Sequence, residues 1–372
     1  MRLRDNNVFR FWSFVGIPLM IIIIACFHQG GYYTHLINTF GIYIILVASL
    51  NLVNGFSGMF SMGHAAFMAI GAYVSAYFTL PTDIKYSFLP GLPHWLKDIQ
   101  LPFLAAMLLG SIAAMLVALV VGFCVLRMKG HYLSVATLGL IVIVRSVLDN
   151  QDSITNGARG ITGLPDHAVT WTIFFVAVVV MYILHRTIRS GFGRELIAIR
   201  DDTVAARTMG INVTKYRVLI FAMSAFFAGA GGALWGHLQS VISGKFYYYD
   251  MSFKIVQTSI IGGVYTLSGS IVGSLFMTFV PEFLSPLESG LQIFGVQLPE
   301  MYGLSNLIMA AFLVVLIIFR RQGLVGYSEN IVNSIFSPDV YKAAVSPKEY
   351  KKLLGIIASK FTRLLHKKDN KS

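Results

Sequence analysis

Eight apolar runs of about bilayer-crossing length constrain this chain more than any other feature. They cover residues 11–27, 36–53, 59–80, 103–126, 131–148, 168–185, 218–242 and 304–319. A helix rising 1.5 Å per residue needs about 20 residues to cross a hydrocarbon core of roughly 30 Å. With 56% hydrophobic and 12% charged residues and a mean hydropathy of +0.69, the chain is expected to be an all-α, polytopic membrane protein.

Charge sets the expected orientation. The net charge of +12 is not spread along a soluble face, as a nucleic-acid reader would need; it is gathered into loops. Placing the N-terminus inside puts Arg127, Lys129, the seven Lys and Arg residues of 186–217 and everything after Arg320 on the cytoplasmic side. The segment from Glu282 to Met301 has Glu282, Glu288 and Glu300 but no Lys or Arg, and falls outside. Arg2, Arg4 and Arg10 precede the first run, and no small-residue cleavage site follows it, so it reads as an uncleaved span. Cys26 and Cys124 fall at opposite faces and are not expected to pair.

Residues 253–263 and 269–281 are each short for a full crossing and are joined by the turn VYTLS. They read either as a re-entrant pair or as two thin crossings lining a cavity, where irregular backbone is satisfied by protein or water. The total is therefore eight full spans plus a short helical hairpin. Gly232 and Gly236, and again Gly269 and Gly273, stand four apart, a spacing that suits close helix packing.

The segment NLVNGFSGMFSMGHAAFMAIGAY, Asn51 to Tyr73, places Asn51, Asn54, Ser57, Ser61 and His64 at or near membrane depth. Unpaired polar groups are costly there. Two readings stand: the Asn and Ser side chains cap a break around Asn54 to Gly58 while His64 bonds a neighbouring helix, or the segment is a discontinuous helix on a translocation path. Thr137 and Arg145, in GHYLSVATLGLIVIVRSVLDN, are further path candidates, and Arg145 and Asp149 are spaced to pair on one helix face. The Gly/Asn/Asp-rich stretch after Asn150 has the turn chemistry of an external loop. No second ligand stands at metal spacing from His64.

Between Arg186 and Arg217 the pattern changes. Gly191 and Gly193 free the start of a helix predicted over 194–209, and Gly210 is placed to end it in a left-handed cap. Leu196, Ile199, Val204 and Ala205 form its apolar face among Arg194, Glu195, Arg200, Asp201, Asp202 and Arg207. By itself this is either a helix that docks in a groove of another protein or a solvated, positively charged loop.

The segments NLVNGFSGMFSMGHAAFMAIGAY, GHYLSVATLGL, NGARGITGLP and GFGRELIAIRDDTVAARTMGINVTKYRVLIFAMSAFFAGAGGALWGHL resemble, in order and spacing, the permease subunits of branched-chain amino acid ABC importers, the LivH/LivM family, and its LivM branch more closely. The resemblance runs from Tyr32 to Gly326. It implies a type II-like permease in a bacterial inner membrane with both termini cytoplasmic. The implied partners are a second, LivH-like permease, two cytoplasmic ATPase subunits that carry ATP and Mg, and an extracytoplasmic solute-binding protein. This chain would bind no cofactor and catalyse no reaction. The coupling contact carried over from the family falls on Gly193, Arg194, Glu195, Ile199, Arg200, Asp201, Asp202, Ala205, Met209 and Gly210. The chain departs from the family's GGxGSxxGP and FRPxGL patterns at Tyr265, Thr266, Ser270 and Arg321.

Residues 1–326 thus read as a permease domain and 327–372 as a basic tail. Leu353, Leu354, Ile357, Phe361, Leu364 and Leu365 form an apolar face in that tail, with Lys348, Lys351, Lys352, Lys360 and Arg363 mainly on the other side, a pattern that suits an anionic lipid surface. No GxxxxGK[ST] loop occurs, so energy must come from elsewhere. An ion-coupled carrier or passive channel for small polar solutes remains the alternative, and within the importer class so do urea and short amides.

Overall fold

The computed structural model describes residues 31–126, 132–288, 292–293, 296–297, 303–319 and 323–325. The expected first span, Cys26, the Arg127 and Lys129 pair, Arg321 and the basic tail lie outside these residues.

Helix α1 (Tyr32–Asn51) is the axis of the described bundle. It is buried on every side from Phe40 to Val53, as a helix apolar all round must be when it stands inside other helices. It continues through a π-helical turn, Leu52–Phe56. After an irregular stretch come α2 (His64–Thr79), which bends by 118° into α3 (Thr82–Phe88), and then α4 (His94–Asp98). The expected span 59–80 is therefore corrected: its first residues are not helical, and Pro81 stands at the bend.

Helix α5 (Phe103–Val125) shows how packing is decided where everything is apolar. Ala106, Gly110, Ala114, Ala118 and Gly122 recur every four residues and are buried, while Leu104, Leu108, Ile112, Leu116 and Val120 are exposed. Lipid is as apolar as leucine, so helices gain most by bringing backbones close, and small residues face inward. Gly110 meets the backbone of Gly71 in α2. Gly229 of α11 (Val213–Gln239) meets both Gly71 and α5, so three helices touch main chain to main chain at one level. Gly232 packs on the backbone of Met68, confirming the packing reading of that glycine.

Helices α6 (Tyr132–Asn150) and α7 (Asp152–Thr155) lead into a loop whose strand β1 (Ile161–Thr162) pairs antiparallel with β2 (Val241–Ile242), just after α11. Asn156 adopts a left-handed conformation there, φ 60°, and its amide donates to the Gly160 carbonyl at 2.6 Å. Helix α8 (Thr170–Arg189) leads into the cytoplasmic-loop candidate, which forms α9 (Gly191–Asp201) and α10 (Thr203–Thr208).

The hairpin is α12 (Tyr249–Gly262) and α13 (Leu267–Glu288). Only α12 is short: its 14 residues rise about 21 Å. The expected end at Pro281 is wrong, because α13 runs through it to Glu288. Proline is tolerated inside membrane helices where neighbours re-satisfy the freed backbone groups. Gly262 and Gly273 bring the two helices into backbone contact. A two-residue ladder, β3 (Gln292–Ile293) with β4 (Val296–Gln297), precedes α14 (Leu304–Phe319). The chain after α14 folds back so that Leu324 and Val325 donate to the Ile261 and Gly262 carbonyls at 2.8 and 3.1 Å.

Among the described residues, six helices are long and apolar enough to cross a membrane, or seven if the bent pair α2 and α3 forms one span. The chain is a multi-pass helical membrane protein; the expected count of eight full spans is not reached among the described residues.

Candidate functional site

The polar residues of the Asn51 to His64 segment are drawn together around a break. The wide π-helical turn at Leu52–Phe56 leaves α1, and Ser57 closes it by donating to the Val53 carbonyl at 2.7 Å. Asn54 then holds the returning strand, donating to the Ser61 carbonyl at 3.1 Å and accepting its N–H at 2.9 Å. The Met62 N–H is taken by Thr137 Oγ1 at 3.1 Å, and Ser134 donates to the Phe60 carbonyl at 2.8 Å, so α6 fastens the strand from the other side. Ser252 of α12 donates to the Met62 carbonyl. In low dielectric each unmade bond here would cost about 1–3 kcal/mol, so the side chains and the break require one another.

His64 opens α2 at the depth of Ser49, two turns back along α1, with Nε2 2.7 Å from Ser49 Oγ. Ser49 donates its own hydrogen to the Leu46 carbonyl at 2.8 Å, which makes the imidazole Nε2–H the donor of the pair. Asn51 links three helices: its amide donates to the Thr266 carbonyl at 3.3 Å and to Ser270 Oγ at 3.0 Å, and it accepts from Ser259. The expected break and the expected bond from His64 to a neighbouring helix are present: Asn54, Ser57, Ser61 and Thr137 staple the break, while His64 ties α2 to α1 and Asn51 ties α1 to the α12–α13 hairpin. Arg145 does not join them. It lies two turns further along α6, pairs with Asp149 at 3.2 Å and stacks 4.0 Å from the Tyr248 ring centroid.

Ser259, Thr266 and Ser270 belong to this polar interior and were not predicted. The signal was the spacing of hydroxyls through two apolar helices, which by itself looks like ordinary membrane-helix composition.

The single helix expected over 194–209 is two helices. Asp202 leaves helical geometry at φ −150° and caps α10, its Oδ1 accepting from Val204 and Ala205 N–H groups at 2.8 and 3.0 Å. Such a cap is worth about 1 kcal/mol. Ser190 caps α9 through the Gly193 N–H, and Asn212 caps α11 through the Lys215 N–H at 3.1 Å. Gly210 ends α10 as expected, with φ +84°. Gly193 does not simply free the start of α9: a β-carbon there would run into the Ile188 carbonyl.

The apolar face is also redistributed. Leu196, Ile199 and Ala206 are buried, and Ile199 and Ala206 form a small core with Val213, Ile211 and Tyr216. Val204 and Met209 turn outward, 72% and 82% exposed, beside exposed Ala205, Arg194, Asp201, Asp202 and Arg207, while Glu195 is partly covered.

Arg200 joins the loop to the break. Its stem passes Gly58 (φ +68°), where a β-carbon would stand 2.7 Å from Arg200 Cγ. Its Nη1 donates to the Gly55 carbonyl, a long bond at 3.5 Å, and its guanidinium lies 5.3 Å from the ring centroid of Tyr265. Nη2 pairs with Asp201 at 2.9 Å. Gly55 in turn abuts the Val264 carbonyl. The ends of α1 and α12, the turn before α13, and α9 therefore meet at one end of the bundle.

The family described as "Branched-chain amino acid transport system / permease component" matches residues 32–320. Among curated relatives, the high-affinity branched-chain amino acid transport system permease protein LivM of Salmonella typhimurium is 26% identical over 317 residues, covering 76% of this chain and 67% of that protein. A probable LivM of Methanocaldococcus jannaschii is 22% identical, covering 77% and 91%. The LivH permease of Salmonella typhimurium is 24% identical, covering 65% and 81%. No solved structure gives a significant match. With a match that begins at α1 and ends just past α14, the chain belongs to the family of branched-chain amino acid transport permease components, membrane subunits that carry solute and are not enzymes.

Proposed function

We propose that this chain is the LivM-like half of a permease pair in a bacterial inner membrane, importing branched-chain amino acids with energy from ATP. The LivH likeness alongside the LivM one supports a second, LivH-like permease as partner. The observation that carries the reading is the α9–α10 pair: two capped helices anchored by buried Leu196 and Ile199, with Val204 and Met209 bare among charges. A surface of that kind suits a groove on another protein. Here the proposed partner is a cytoplasmic ATPase subunit, two of which bind ATP and Mg for the complex.

Gly193, Arg194, Glu195, Ile199, Asp201, Asp202, Ala205, Met209 and Gly210 form or support that surface, and Arg200 takes part in the coupling from its inner side, against the bundle. The solute path runs beside the break at Asn51, Asn54, Ser57, Ser61, His64 and Thr137, with Arg145 nearer its other mouth. Both termini are cytoplasmic, an extracytoplasmic binding protein delivers the solute, and the basic tail 327–372 binds the anionic cytoplasmic leaflet. The test is purification in mild detergent with mass spectrometry of the partners. Two ATPase chains and a second permease should accompany the wild type and be lost when residues 194–209 are scrambled. A chain that purifies alone and moves leucine in liposomes without ATP would overturn the proposal.

A further inference from the structure

We infer that Arg200 is the positioning residue that passes motion of the docking helix α9 to the interior, by clasping the break after α1 and the turn before α13 at the same time. The inference rests on the ATP-driven reading and specifies which atoms carry its coupling.

Three features set Arg200 apart from the other charged residues of α9 and α10. Its side chain reaches into the bundle: Arg194, Asp201, Asp202 and Arg207 are exposed and Glu195 is partly covered, while the Arg200 side chain retains only 16% of its surface and meets the break. Each part of it meets a different element. The stem lies on Gly58 in the break, Nη1 reaches the Gly55 carbonyl of the π-helical turn, and the guanidinium faces the Tyr265 ring. The receiving groups also suit an arginine. Tyr265 offers a ring to a planar cation, and Gly58 leaves the room that any side chain would fill.

Beyond the clasp, the contacts continue without a gap. Tyr265 is flanked by Val264, whose carbonyl abuts Gly55, and by Thr266, whose carbonyl accepts from Asn51. Asn51 also holds Ser270 and Ser259. A displacement of α9 therefore reaches the polar interior along two arms, one through Gly55 into α1 and one through Tyr265 into α12 and α13.

The experiment uses the full chain in its complex with the partner permease, ATPases and binding protein, reconstituted in liposomes, with leucine uptake and ATP hydrolysis measured separately. Wild-type uptake must depend on ATP; a wild type that fails this overturns the functional reading and the clasp with it, before any variant is made. Arg200→Ala should keep its ATPase subunits, hydrolyse ATP within about twofold of wild type, and lose uptake at least tenfold. Tyr265→Leu should do the same, and Tyr265→Phe, which keeps the ring, should stay near wild type. Arg200→Lys keeps the charge but cannot reach carbonyl and ring together, so uptake should be intermediate. The double variant Arg200→Ala/Tyr265→Leu should be no worse than either single one, as expected for two ends of one contact. Unchanged uptake in Arg200→Ala, losses that multiply in the double variant, or loss of the ATPase subunits from Arg200→Ala would each overturn the clasp, the last by assigning Arg200 to the docking surface itself.

Discussion

The carboxamide of Asn54 grips the backbone of Ser61 from both sides, oxygen to N–H at 2.9 Å and nitrogen to carbonyl at 3.1 Å. Only a side chain that donates and accepts in one plane can do this. Asn54→Asp keeps the acceptor, loses the donor and adds a charge; Asn54→Ala loses both. Each should lower stability by about 1–3 kcal/mol, with Asp the worse. Thermal unfolding of the purified complex would measure it, and equal midpoints for Asp and wild type would show that the amide does not hold the break.

On α5 the two faces should respond in opposite ways to size. Gly110→Ala places a β-carbon against the Gly71 backbone and should cost about 1–3 kcal/mol through overpacking. Leu108→Ala, on the exposed face, should leave the unfolding midpoint in detergent nearly unmoved.

Val204→Asp and Met209→Glu change side chains that touch little of their own chain, so stability should stay within about 0.5 kcal/mol. Both should abolish recovery of ATPase subunits in a pull-down. They are better probes of docking than Gly193, where any side chain would distort the junction of α8 and α9.

Glu288 predicts a pH dependence. Its carboxylate accepts the Ser305 N–H at 2.6 Å, at the start of α14, and this bond holds its pKa below the ordinary carboxylate range. A depressed folded-state pKa means the contribution is complete above the unfolded value, about 4.3, and is lost as pH falls through the lower, folded one. Amide exchange at the first turn of α14 should therefore rise as pH is lowered below the ordinary carboxylate range, after correction for intrinsic rates. Glu288→Gln should remove that step.

Sequence patterns carried some of this architecture and concealed the rest. The break was legible because Asn54, Ser57, Gly58 and Ser61 interrupt an apolar run, and Gly210 was legible because its left-handed turn suits a residue without a side chain. Asp202 was not: in a run of good helix formers it looked like one more surface charge, and its capping role depends on a backbone turn that pattern does not show. The length of α13 was not legible from 269–281 either: the helix continues through Pro281, whose missing bond is tolerated in a packed membrane helix. The inward face of α5 was hidden because polarity does not vary along it, and the ordering there is by size. Arg200 was seen as charge, and its reach into the bundle depends on Gly58 and Tyr265, far away in sequence.

The meeting of Gly71, Gly110 and Gly229 divides the labour of the molecule. Main chain against main chain leaves no side chain whose rotation could let α2, α5 and α11 slide past one another, so these three behave as a fixed post. What is left to move is hung on the post: the irregular stretch before α2, held by side chains rather than by main-chain packing, and the α12–α13 hairpin.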